Sequence, residues 1–196
     1  MTTGRLEAFS DAVIAIVLTL MVLELKVPES TEWSALRPLV PTFLTYVLSF
    51  VYLGIYWNNH HHLLQRTSEV TGGILWANLH LLFWLSLFPF ATAWMGEHHF
   101  AATPMAFYGI ILLLAAIGYY VLQQVILAHE GPGSPLALAL GPDWKGKSSP
   151  IIYATAIAIS FVNRWVALAL YTLVALMWLV PDRRLERVPA GDPVDQ

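Results

Sequence analysis

The sequence predicts an all-α integral membrane protein, from its apolar content, its scarcity of charge and its apolar runs of bilayer length. Of its 196 residues 57% are apolar and 12% charged, about half the charged share usual in a soluble domain. Ten basic and 13 acidic side chains cannot cover a soluble surface of this size, so soluble globular, disordered and collagen-like classes are excluded. With no cysteine there is no disulfide, thiolate metal site or Cys nucleophile. A net charge of −3 leaves no basic footprint for nucleic acid.

A hydrocarbon core about 30 Å thick needs roughly 20 apolar residues per helix. Stretches of that kind run over 9–27, 42–64, 72–95 and 104–127. The apolar run 151–180 is interrupted only by Asn163 and Arg164, so it reads as one long helix or two short ones, 151–163 and 165–180. The distribution of Lys and Arg decides, because they accumulate in cytoplasmic loops. Six spans with the N-terminus inside put Arg5, Arg66, Lys145, Lys147, Arg183, Arg184 and Arg187 inside and Lys26, Arg37 and Arg164 outside, seven against three. Five spans would strand Arg164 in hydrocarbon and leave four inside against five outside. The expectation is therefore a six-helix domain over 1–182 and a polar cytoplasmic tail over 183–196, multi-pass in the cell membrane with both termini inside.

The connections fit this layout. Residues 28–41 hold Pro, Ser, Thr and Glu and read as an external loop with Trp33 as an interface anchor. Residues 129–150 form the longest connection, and Pro181-Asp182 ends the last helix. No internal repeat supports an inverted-repeat transporter. Glu7 and Asp11 stand where the basic region of a cleaved signal peptide belongs.

The first helix departs from the pattern of a lipid-facing span. It carries Asp11 near its start and Glu24 and Lys26 near its end, and ionisable groups in a span face protein or water. Ile16, Leu20 and Leu23 stand at i, i+4 and i+7 on one face, with Thr19 beside them. Asp11 is rotated roughly 140° from Ile16. Such a stripe is either ordinary helix packing or, if several copies surround an axis, a stack of hydrophobic rings that can exclude water.

The seven histidines invite a metal reading. Consecutive side chains on a helix point about 100° apart, so His60, His61 and His62 cannot share one ion. No spacing such as H-E-x-x-H supplies the general base of an intramembrane metal-dependent enzyme. No cofactor or metal is expected. A buried Asp11 with His60 could also serve a secondary transporter as a proton or cation relay.

The segment from Arg5 to Asp11 reads R-x-x-x-F-S-D at the entry to the first helix. Trp57-Asn58-Asn59-His60 gives W-x-x-H near the end of the second, and Asn78 precedes Ser86-Leu87-Phe88-Pro89-Phe90 in the third. In these motifs, and in Ser160-Phe161-Val162-Asn163 and Trp178-Leu179-Val180-Pro181-Asp182 near the end, the sequence resembles the prokaryotic branch of the transmembrane protein 175 family of potassium-permeable channels. The resemblance covers nearly the whole chain. It implies a homotetramer with the first helix of each subunit lining a central pore, and potassium ions and the lipid bilayer as partners. Ile16 would form the narrow constriction, Leu20 and Leu23 further rings, and Thr19 a site of ion preference. Arg5, Phe9, Ser10 and Asp11, with His60 and Asn78, would form a packing network supporting the pore. Glu24 would then lie at the outer mouth, where four copies concentrate cations. Animal members are doubled into two repeats, whereas this chain has one set of six helices. The sequence lacks the T-V-G-Y-G run of carbonyl-type filters.

Overall fold

The structure is a computed structural model that describes residues 2–140 and 144–179. It is all-helical: α1 (Thr3–Leu23), a 3-10 helix (Trp33–Leu39), α2 (Val40–Leu64), α3 (Gly72–Ser86), α4 (Phe88–Glu97), α5 (Ala102–Glu130), α6 (Pro135–Leu140), α7 (Trp144–Ser160) and α8 (Arg164–Leu179). Thr3–Leu23, Trp33–Leu64, Gly72–Glu97 and Ala102–Glu130 are each long and apolar enough to cross a bilayer, while α7 and α8 are shorter. The tail expected over 183–196, with Arg183, Arg184 and Arg187, lies outside the described residues.

Three expected elements differ in detail. The span expected over 9–27 is α1 over Thr3–Leu23, which leaves Glu24 as its C-cap and Lys26 beyond its end. The third apolar run is broken into α3 and α4 at Leu87, with Pro89 in the first turn of α4. A proline there lacks the N–H that would continue the ladder from α3, and its fixed φ suits a new first turn. The run expected to begin at 151 already starts as α7 at Trp144, with Pro150 inside it. The Ser148 and Ser149 hydroxyls both donate to the Lys145 carbonyl, at 3.3 and 2.7 Å, so polar residues that read as a loop satisfy the backbone of a helix.

The bundle is organised around α5, which packs on α3, α4, α7 and α8, while α1 packs on α2, α3 and α4. Its centre is a run of aromatic rings. Tyr56 meets Phe88 at 6.4 Å, Phe88 meets Tyr108 at 6.3 Å, and Tyr108 meets Tyr171 at 5.9 Å, all edge to face. The buried hydroxyls find acceptors, as such groups must. Tyr52 donates to the Tyr171 carbonyl at 2.6 Å, Tyr171 to the Met105 carbonyl at 3.3 Å, and Ser49 lies 2.7 Å from Thr92 and 3.0 Å from Tyr108.

Side-chain contacts define the two ends. One end joins Thr3 to the Thr67 carbonyl and Ser68 to the Glu130 carboxylate. The other joins the Lys26 ammonium to Glu97 at 2.6 Å and Arg164 to the His99 carbonyl at 3.4 Å. The turn between α7 and α8 lies at this second end, where the Asn163 carboxamide oxygen caps α8 by accepting from the Trp165 and Val166 amides.

Two glycines permit close approaches. A Cβ on Gly96 would lie 2.6 Å from the Thr42 Cα, so only glycine lets α4 meet α2 there. A Cβ on Gly109 would lie 2.0 Å from the Tyr171 hydroxyl. Gly109→Ala is expected to expel that hydroxyl from its bond to Met105 and to cost about 1–3 kcal/mol. Denaturant unfolding in detergent checks this, and Tyr171→Phe in the same background should recover part of the loss.

Candidate functional site

Helix α1 has two unlike faces. Leu6, Ser10, Ile14, Val17 and Met21 recur at three- and four-residue steps and are buried against α2, α3 and α4. Turned away from them, Ile16 is 58% exposed, Leu20 46% and Leu23 76%. The stripe read from the sequence therefore does not serve packing within the subunit. Thr19 and Glu24 are exposed as well. The Thr19 hydroxyl donates to the Ile16 carbonyl at 2.8 Å, which spends its proton and leaves the oxygen as an acceptor.

The packed face is fixed by a polar chain deep in the protein. The Asn78 amide nitrogen donates to Ser10 Oγ at 2.9 Å, and Ser10 Oγ donates to the Leu6 carbonyl at 2.9 Å. Asn78 Oδ1 lies 2.7 Å from His60 Nε2. A carboxamide oxygen only accepts, so Nε2 carries a proton and donates. His60 Nδ1 is buried without a hydrogen-bond partner. Ser10, His60 and Asn78 are all fully buried.

Beside this chain runs a second ladder. Glu7 pairs with His61, and Asp11 accepts from the Trp57 indole at 3.0 Å. Trp57 and His61 stack at 6.1 Å. Asp11 is half-buried and bonds to Trp57, whereas His60 bonds to Asn78. Arg5 is exposed with no side-chain hydrogen bond or ion pair among the described residues, and Phe9 is 47% exposed. The structure thus brings Ser10, Asn78 and His60 together, joins Asp11 to a neighbour, and leaves Arg5 and Phe9 facing outward. Glu7 and His61 were not singled out from the sequence. Their signal is spacing, since Glu7 and Asp11 are four apart on α1, and Trp57 and His61 are four apart on α2.

At the opposite end, Glu24 lines a cleft with Lys26, Glu97, His98 and His99. His98 and His99 turn Nδ1 toward the Trp94 and Glu97 carbonyls, and the Trp84 indole donates to His80. Among the described residues no group of three or more His, Asp or Glu could hold a metal ion.

The family model described as "Endosomal/lysosomal potassium channel TMEM175" matches residues 5–89. That stretch begins at the R-x-x-x-F-S-D arginine and closes at Pro89 in the first turn of α4, so it contains the Ser10–Asn78–His60 chain and the Glu7–His61 and Asp11–Trp57 pairs. A crystal structure described as a lysosomal potassium-selective channel TMEM175 homologue from Chamaesiphon minutus is 30% identical, covers 92% of this chain and 97% of its own, and superposes with a TM-score of 0.80. The chain belongs to the TMEM175 family. A relative in Chryseobacterium sp. (strain P1-3), described as a potassium channel, is 56% identical over 187 residues, 95% of this chain and 97% of the relative. The chicken TMEM175, described as an endosomal/lysosomal proton channel, is 30% identical over 142 residues, which is 64% of this chain but 28% of the chicken protein. TMEM175 is a family of channels and not of enzymes, and the chain is a multi-pass membrane protein of that family.

In this TMEM175 member the polar chain is the anchor of α1. Asn78→Leu removes the partners of Ser10 and His60 at once and is expected to cost about 2–5 kcal/mol. Ser10→Ala, which leaves the Asn78–His60 bond in place, should cost about 1–2 kcal/mol. Denaturation midpoints of the purified variants check the order.

Proposed function

We propose that the chain is a potassium-permeable, moderately selective cation channel built from four copies. Each subunit crosses the membrane six times, α3 and α4 together making one crossing, with both termini cytoplasmic. The exposed face of α1 lines the shared axis. The observation that carries this reading is the division of α1 into a buried face anchored through Ser10 and an exposed aliphatic face bearing one hydroxyl. A lipid-facing helix needs no buried polar chain to fix its rotation, whereas a pore helix must hold one face toward the axis.

On this reading Ile16 forms the constriction, with Leu20 and Leu23 as further rings toward the outer end. A narrow aliphatic ring presents no carbonyls to an ion, so passage depends on how readily the ion sheds water. Potassium sheds it more easily than sodium, and a moderate preference follows. The four Thr19 oxygens offer partial replacement for lost water. The four Glu24 carboxylates raise the cation concentration at the outer mouth. The remaining motif residues, Arg5 and Phe9, point outward from the subunit and are available to the neighbouring copy.

The same layout accounts for the two ends. Lys26, Glu97, His99 and Arg164 gather at one, and Thr3, Thr67, Ser68 and Glu130 at the other, as alternating crossings with Arg5 and Arg66 inside require. The short α7 and α8 lean on α5 and α2, which suits a pair that needs help to span.

Ile16→Asn is expected to raise cation leak and bring the potassium-to-sodium flux ratio down toward one, read in liposomes under matched gradients. Unchanged flux and ratio would remove Ile16 from the ion path.

A further inference from the structure

Two apolar flanks are left open beside α1. Helix α1 meets α2 through Asp11 and Trp57 and α3 through Ser10 and Asn78. On the α2 flank Val47, Phe50 and Trp57 are exposed, and on the α3 flank Trp76, Leu79 and Phe83. Within each row stands one polar side chain whose hydrogen-bonding capacity is unmet.

On α3 it is His80, which is exposed. Its Nε2 accepts from the Trp84 indole at 2.9 Å, and an indole N–H only donates. Nε2 is therefore unprotonated, the ring is neutral, and its proton sits on Nδ1. That N–H has no acceptor among the described residues. On α2 it is Asn58, half-buried, whose carboxamide makes no hydrogen bond among the described residues. Both residues lie in bilayer-crossing helices, where lipid tails offer neither donor nor acceptor. Polar side chains so placed find their partners on other protein helices.

The buried His60–Asn78 bond fixes their depth. Asn58 precedes His60 by two residues on α2, and His80 follows Asn78 by two on α3. The two helices run in opposite directions, so both steps lead toward the Lys26 end of the bundle, by about 3 Å each. Two residues also turn a side chain about 200° around a helix, away from the interior that His60 and Asn78 face. The unmet donor and the unmet carboxamide thus stand at one depth, facing out from opposite flanks. Rotation about an axis normal to the membrane preserves depth, and a closed ring sets one flank of each copy against the other flank of the next.

We propose that the α2 and α3 flanks are the two halves of the subunit interface, and that the Asn58 carboxamide oxygen of each copy accepts from His80 Nδ1 of the next. The inference rests on the reading of four copies around α1. The aromatic and aliphatic rows supply the packing, and the polar pair sets the register at which the flanks meet.

The chain has no native cysteine, so the test uses the full-length protein carrying Asn58→Cys and His80→Cys together, oxidised in liposomes with copper phenanthroline and run on denaturing gels. A ladder from dimer to tetramer is expected. Either cysteine alone should give only monomer, because a head-to-tail contact never brings one position against itself. Asn58→Leu and His80→Leu should each raise the protein concentration needed for half-assembly in detergent about threefold or more. The double leucine variant should go no further than the larger single effect. Native mass spectrometry of the unsubstituted protein separates this contact from the assembly on which it rests. A tetramer whose double-cysteine variant forms no ladder, or whose leucine variants assemble at the unsubstituted concentration, would overturn the Asn58–His80 contact and leave the four-copy reading in place. A monomer or dimer would overturn both. Ladders from either single cysteine would show a two-fold contact and would overturn the proposal as well.

Discussion

The structure depends on holding one helix in one rotation. An α-helix in hydrocarbon satisfies its own backbone, so nothing intrinsic prevents it from turning about its axis. Here a serine on α1, an asparagine on α3 and a histidine on α2 form an unbroken chain of hydrogen bonds at 2.9 and 2.7 Å. Any rotation of α1 would break the Asn78–Ser10 bond and strand a buried amide nitrogen and hydroxyl, at a cost of several kcal/mol. The partners of Glu7 and Asp11 on α2 add a second line of attachment along the same helix. With one face so committed, the opposite one, bearing Ile16, Leu20 and Leu23, is left exposed.

The rest of the bundle makes that anchoring possible. The break at Leu87 lets α3 present Asn78 to α1 while α4 turns to meet α2, where Gly96 allows near contact of the two backbones. Behind them the tyrosine and phenylalanine rings around Tyr108 pack edge to face, with the Tyr52 and Tyr108 hydroxyls hydrogen-bonded. At the far end of α1 the Lys26–Glu97 pair ties the helix to α4. Both partners are largely exposed, so this tie contributes little to stability. Helix α1 is thus fixed firmly near its start and lightly near its end.

Much of this was legible in the sequence because membrane crossing imposes length, hydropathy and charge placement, which can be counted. The stripe Ile16, Leu20 and Leu23 and the outlier Asp11 were visible as periodicity and as a charge in the wrong place. What periodicity could not give was partnership. Asp11 and His60 looked like a pair, yet Asp11 bonds to Trp57 and His60 to Asn78, because pairing follows the angle and depth at which helices cross. The early start of α7 was hidden for a related reason. Lys-Gly-Lys-Ser-Ser-Pro has the composition of a loop, yet it is helical, with the Ser148 and Ser149 hydroxyls folded back onto the Lys145 carbonyl. The third run read as one stretch over 72–95, because hydropathy does not show that Pro89 divides it into two halves that serve different neighbours.

The central claim is that the exposed face of α1 meets water and ions at a shared axis instead of lipid. The absence of native cysteine makes one measurement direct. A thiol placed at Ile16 reacts with a charged methanethiosulfonate only where water allows it to ionise. In liposomes, Ile16→Cys should lose potassium flux on exposure to the reagent, whereas Leu173→Cys, on the exposed apolar face of α8, should not. Flux through Ile16→Cys that survives the reagent, or that falls equally for both variants, would contradict the account.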